Sequence, residues 1–298
     1  GEIAELILQA DIATAVRFLD DVIEVNTFPL PQLKEMNLKT RRIGLGVMGW
    51  ADMLVKMQIP YDSDEALRLA EHIGKLFRAA AWDASVYLAK LRGEFPEYKN
   101  SRLNIPDVLP VRHSSVVTIA PTGTISRIAN CSSGIEPYYS LAWKSKILWE
   151  GSETSEFIDS PPSVKEALAK RLGHEAADTA INKLASGDKG YYQMLKQDPV
   201  SKFLRTAMDM SSDAHVKMQA VWQKFAATNS ISKTINLPES ATSNEIGRIY
   251  HLAWELGCKA VTIYRDNSKD IQVLESLENK STTIRERPAV VSGLTEKV

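Results

Sequence analysis

SISKTINL (residues 230–237) and AVTIY (260–264) are two short runs rich in β-branched residues, and the stretch between them decides the fold class. Thr242 or Ser243 can cap a helix there, and Gly257 stands where that helix would end. The interval fits about four helical turns. Strand, helix and strand at this spacing make a crossover, which joins parallel neighbours with a right-handed connection. The chain therefore reads as an α/β protein with a parallel sheet.

The same logic extends upstream. A helix capped by Ser211 or Ser212 carries His215, Met218, Val221, Trp222 and Phe225, and leads through Asn229 into the first of the two strands. In VVTIAPTGTISRIAN (116–130), Val116, Val117 and Ile119 favour a strand, Pro121 stops its ladder, and Thr122-Gly123-Thr124 form a tight turn. A helix is expected from Ser126 to about Ser132–Gly134. RRIGLGVMGWADML (41–54) reads as a strand through Ile43, Leu45 and Val47, then a helix from Gly49 to Gln58. Asp62 or Ser63 caps a long helix reaching Arg92, with Gly93 at its C-terminal cap. Apolar residues recur at helical spacing over 5–25, and FPLPQ (28–32) ends that helix. Residues 150–200, with SPPS, a polar helix near 163–185 and GDKGYY, read as a surface insertion. Residues 1–270 are expected to form the folded unit, and 271–298 a polar, mobile tail.

Composition narrows the function. The 298 residues are 44% hydrophobic and 24% charged, the balance of a globular protein. With 36 Lys and Arg against 37 Asp and Glu, the net charge of −1 disfavours a nucleic-acid partner. No apolar run approaches the ~18 residues of a membrane span. Gly1 in place of Met leaves open a processed product or a piece of something longer. Two cysteines, Cys131 and Cys258, make no disulfide framework or zinc motif, which points to a reducing, cytoplasmic setting. The five histidines show no metal-ligand spacing, so no metal site is expected.

One stretch stands out as a ligand turn: Pro121, Thr122, Gly123, Thr124, Ile125 and Ser126. A strand delivers the chain to small residues where a helix starts, so free amides point outward and hydroxyls add donors. That is the physics of a phosphate cradle without a Walker lysine. The pattern alone favours the plainer reading, a capped β-turn, because Ser and Thr caps are common. Gly44, Gly46 and Gly49 match a dinucleotide fingerprint in spacing, yet no acid-ended second strand follows. Tight packing of a strand-to-helix turn explains them better. Both cysteines read as buried, inert thiols, and His215 and His251 as structural histidines on amphipathic helices. Glu136, in SSGIEP, could bind a substrate hydroxyl or cap backbone amides.

Taken together, RRIGLGVMGWADML, GEFPEY, VVTIAPTGTISRIANCSSGIEPYY, HVKMQAVWQKFAATNSISKTINLP and LAWELGCKAVTIYRDNS occur in an order that resembles the C-terminal half of the large catalytic chain of ribonucleotide reductase. PTGTIS, CSSGIEP and YRDNS most resemble the adenosylcobalamin-dependent class II. The resemblance spans roughly residues 10–275 and is weakest across 150–200. It implies the second half of a ten-stranded α/β barrel, with helices packed outside. It also implies that the Pro121–Ser126 turn binds substrate phosphates, which reverses the preference above.

The family's radical cysteine, its asparagine and glutamate companions and both reducing cysteines lie upstream of the segment matching Gly1. Neither Cys131 nor Cys258 occupies those positions, so no catalytic residue is expected in this chain. A C-terminal cysteine pair is likewise missing, and Tyr264 stands where many class I relatives carry two tyrosines. The resemblance thus implies ribonucleoside-diphosphate reductase chemistry shared with an N-terminal chain or segment bearing the radical cysteine. The other requirements are a ribonucleotide substrate, adenosylcobalamin and an external thiol reductant. The alternatives are a non-catalytic nucleotide- or phosphate-binding module derived from that fold, or a structural scaffold.

Overall fold

The computed structural model describes residues 3–148, 154–266 and 268; the expected tail, 271–298, lies outside them. Helix α1 (Glu5–Val25) buries Ile12, Val16 and Ile23 against α4 (Asp64–Arg92). Ser63 caps α4 by accepting from the Ala66 amide, and Gly93 ends it at φ +83°. Ala66, Ala70, Ile73, Phe77, Ala81, Ala84 and Leu88 form its buried stripe, spaced three or four residues apart. Between them lie α2 (Pro31–Thr40) and α3 (Trp50–Met57). The proline run that ends α1 also opens α2, because Pro31 sits at its first position, where no amide donor is needed.

The helix expected from Ser126 to about Ser132–Gly134 is a single turn, α5 (Ile125–Ile128), stopped at Asn130, whose φ is +54°. The stretch after it opens with an antiparallel hairpin, β1 (Trp143–Leu148) and β2 (Thr154–Asp159). Next come α6 (Pro162–Leu172) and α7 (His174–Ala185), one expected helix broken at Gly173, and then α8 (Lys189–Leu195). These elements enclose their own apolar cluster around Val164, Leu168, Ala180, Ile181 and Leu195. Ala51 and Val55 of α3 belong to that cluster, while Trp50 and Leu54 of the same helix face the main core.

Helix α9 (Ser212–Phe225) packs on α4 and leads to β3 (Thr234–Leu237), followed by α10 (Ser243–Glu255) and β4 (Thr262–Arg265). The crossover is as read: β3 and β4 are parallel, with Thr234 opposite Thr262 and Leu237 opposite Arg265. Two further parallel bridges, Leu45 to Val117 and Ile119 to Ile231, extend the wall, so four segments lie side by side in chain order. The ladder around 116–119 is short because the Thr228 hydroxyl accepts from both the Val116 and Val117 amides. One face, with Val117, Ile119, Ile231, Ile235 and Leu237, is buried against helices. By strand alternation the other carries Gly44, Gly46, Thr118, Ser232, Thr234 and Thr262.

Candidate functional site

The turn after Ile119 lies at the carboxyl end of its strand segment, where ligands of α/β sheets bind. Thr122 adopts φ +49°, a left-handed conformation that a β-branched residue enters only when held there. Two bonds hold it: the Ser126 amide donates to the Thr122 carbonyl at 3.0 Å, and the Gly134 amide donates to Thr122 Oγ1 at 2.8 Å. Because Oγ1 already accepts, its own proton is free to donate outward. The amides of Gly123, Thr124 and Ile125 find no acceptor among the described residues. Pro121, Gly123, Thr124 and Ile125 are exposed, and a Cβ on Gly123 would meet nothing within 4 Å. Ser126 differs: it is buried, and its hydroxyl pairs with that of Ser133 at 2.9 Å. The corner is thus an open group of backbone and hydroxyl donors with one serine braced beneath it.

The bracing loop, 131–138, is tied down at several points. Asp52 of α3 accepts from the Ser132 amide at 2.5 Å, from Tyr138 at 2.7 Å and from Ser163 at 2.6 Å. Burial, then the Asp52 charge, pushes the Tyr138 hydroxyl well above its usual pKa, so it stays a donor. The Tyr61 hydroxyl donates to the Ile135 carbonyl. Of the two roles left open for Glu136, the backbone role is the one seen. Its Oε1 accepts from the Thr234 amide at 2.6 Å, and Oε2 accepts from Lys233 at 3.3 Å.

Lys233 was not among the residues singled out, and it is only 1% exposed. Its ammonium also donates to His215 Nδ1 at 2.8 Å and to the Thr234 carbonyl at 3.0 Å. Burial lowers its pKa, while Glu136 pulls it back up. Burial, aided by the Lys233 charge, lowers the His215 pKa to about 3. The signal was present in SISKTINL, where a lysine stands in phase with the buried Ile231, Ile235 and Leu237.

The remaining candidates resolve structurally. A Cβ on Gly44 would lie 2.3 Å from Thr118 Cγ2, and one on Gly46 would lie 2.5 Å from the Thr118 carbonyl oxygen. Those glycines let two strands approach closely, and Gly49, at φ +79°, caps α3. Burial raises the pKa of both thiols, with Asp52 adding to it at Cys131, and Cys258 is pushed up to about 11. His215 is the expected structural histidine, whereas His251 is exposed on α10 because its side of that helix faces away from the buried Ile249 and Ala253. A cleft of about 670 Å³ lies between α4, α9 and the loop after α10, lined in part by Arg78, Trp82, Lys224 and Lys259. Arg78 there donates to the Ala226 and Ala227 carbonyls, and Lys259 to that of Thr228, so both help close the end of α9.

Comparison with known proteins gives a consistent set of relatives. Residues 3–106 and 107–264 match the family described as "Ribonucleotide reductase, barrel domain". The chain is 38% identical over 292 residues to a vitamin B12-dependent ribonucleoside-diphosphate reductase of Thermoplasma acidophilum, covering 97% of this chain and 37% of that protein. It is 39% identical over 269 residues to the protein of the same description from Mycobacterium tuberculosis H37Rv, covering 90% of this chain and 36% of the relative. Among solved structures it resembles the class Id ribonucleotide reductase alpha subunit of Actinobacillus ureae. The TM-score is 0.68 at 23% identity, over 86% of this chain and 46% of that one. The chain thus spans little more than a third of the length of these curated relatives.

Proposed function

Because this chain belongs to the ribonucleotide reductase barrel-domain family, its parallel segments and outer helices forming the second half of that α/β barrel, we propose that it is the C-terminal part of an enzyme converting ribonucleotides to 2′-deoxyribonucleotides. Its own work is anchorage. The amides of Gly123, Thr124 and Ile125 and the hydroxyls of Thr122 and Thr124 hold the substrate's phosphates. Pro121 ends the strand beneath them, and Ser126 fixes the base of the turn. The observation that carries this reading is the group of unpartnered amides at the carboxyl end of a parallel strand segment.

The redox chemistry belongs elsewhere. Loss of the ribose 2′-hydroxyl as water requires two thiols that become a disulfide, and an external thiol reductant restores them. Neither Cys131 nor Cys258 stands where the resemblance places those thiols. The radical and reducing cysteines are therefore assigned to an N-terminal chain or segment that completes the barrel. Adenosylcobalamin, held jointly with that part, would supply the radical chemistry when bound.

This chain's histidines do not fit a cobalt ligand set. His113 and His215 have both ring nitrogens engaged, His72 is paired with Glu5, and His174 and His251 are exposed on helices outside the strand wall. Among the described residues no helix is long and apolar enough to cross a membrane. The reading sets the enzyme in the reducing cytoplasm, where thiol reductant is at hand.

The test mixes this chain with a cysteine-bearing N-terminal reductase chain, adenosylcobalamin, dithiothreitol and a ribonucleoside di- or triphosphate. A complex and deoxynucleotide product are expected. No complex and no turnover would refute the reading, and nucleotide binding without turnover would favour the non-catalytic module.

A further inference from the structure

Lys233 is a buried cation on the helix-facing side of a strand whose neighbours in phase, Ile231, Ile235 and Leu237, are all apolar. Packing alone would be served by another aliphatic residue there, since a buried ion pair is seldom more stabilising than a hydrophobic pair of similar volume. All three ammonium protons are used, on His215 Nδ1, the Thr234 carbonyl and Glu136 Oε2. His215 Nε2 lies 3.0 Å from the Ala207 carbonyl, which can only accept, so Nε2 bears the proton and the neutral Nδ1 faces Lys233. Glu136 is then the one carboxylate bonded to this cation among the described residues.

Glu136 leads directly to the anion turn. Its carboxylate grips both Lys233 and the Thr234 amide, and its own amide donates to the Ser133 carbonyl at 2.9 Å. Ser133 Oγ pairs with Ser126 Oγ, and the Gly134 amide holds Thr122 Oγ1. We infer that Lys233 and Glu136 are positioning residues: through the 131–136 loop they hold Thr122 in its left-handed conformation, so that the turn's affinity for a phosphate ligand depends on a cation that never touches it. The inference rests on the reading of the turn given above. It goes further by naming what sets the turn's geometry.

The experiment titrates inorganic pyrophosphate into the full chain by calorimetry and follows the Gly123, Thr124 and Ile125 amides by nitrogen-15 NMR. The variants are Lys233→Met, Glu136→Gln and, as a packing control, Ile235→Val, each with its thermal midpoint measured. Lys233→Met and Glu136→Gln should each weaken pyrophosphate about tenfold, the effect of losing one well-made charge-assisted bond. Both should shift the three turn amides even without ligand. Ile235→Val should lower the midpoint and leave affinity and turn resonances unchanged. Should Lys233→Met fail to fold, Glu136→Gln, which keeps the side chain's length and its Oε1 acceptor, decides. Wild-type binding with both pair variants within twofold of it overturns this inference alone. No binding by the wild-type chain overturns the reading of the turn and this inference with it. A tenfold loss in Ile235→Val as well would make the effect one of general stability and overturn the positioning role.

Discussion

Replacing His215 with glutamine tests the charge assignment at the buried lysine. An unfolded histidine titrates near 6.5, whereas in the folded chain this ring is held at about 3. Between those values the unfolded chain binds a proton that the folded chain refuses. Stability from this group is therefore complete above the unfolded pKa and declines as pH falls toward the folded one. The slope is ~1.4 kcal/mol per pH unit, which comes to about 2.5 kcal/mol between pH 6 and pH 4.

Urea unfolding at pH 6, 5 and 4, followed by tryptophan fluorescence, to which the buried Trp222 two turns along the same face of α9 contributes, measures it. Groups other than His215 are common to both proteins and cancel in the difference. The stability gap between wild type and His215→Gln should narrow by about 2.5 kcal/mol over that range, whatever its value at pH 6. A gap that stays constant would mean that the folded chain protonates His215 beside Lys233, and the assigned neutral ring would be wrong.

Other outcomes follow from separate parts of the molecule. Asp20 is fully buried and bonded to Arg41, Arg92, Arg112 and His113, which hold its carboxyl well below the usual range. Asp20→Ala leaves the buried Arg41 with only the exposed Glu24 as acid partner, and should lower unfolding stability by about 3–5 kcal/mol in urea titrations at pH 7. Gly46→Ala should cost about 1–3 kcal/mol by the same assay, because its Cβ would lie 2.5 Å from the Thr118 carbonyl oxygen. Gly123→Val, facing open space, should leave the melting temperature within a degree or two and weaken pyrophosphate about tenfold. Cys258, with its pKa near 11, should react with iodoacetamide at pH 8 far more slowly than a free thiol and accelerate toward pH 11.

The parts of the fold that could be read in advance are those specified locally. The crossover from 230 to 264 is written as two β-branched runs around a capped helix, and it appears as β3, α10 and β4. Ser63 and Gly93 bound α4 as their side-chain and backbone chemistry requires. The hairpin was not legible, because Lys144, Glu156 and Asp159 dilute its alternation. Helix α2 escaped because a proline can both end one helix and start the next. At the site, the turn was visible as small residues after a strand. Its support was not, since Asp52 reaches Ser132 and Ser163, and Lys233 reaches Glu136, across 80 to 111 residues of sequence. The Asp20 cluster is hidden for the same reason: an acid on α1 gathers partners from residues 41, 92, 112 and 113.

Helix α3 touches two apolar cores at once, Trp50 and Leu54 on one side, Ala51 and Val55 on the other. A shared wall of this kind separates the fates of the two compartments. The α6–α8 annex meets α3 through Ala51 and Val55 and through the Ser163–Asp52 hydrogen bond, so change in its outer part can proceed without disturbing the strands. Widening either Ala51 or Val55, by contrast, would push the annex away and take with it Ser163, which helps Asp52 hold the loop behind the anion turn. The seam along α3 is therefore where the annex is least free to change.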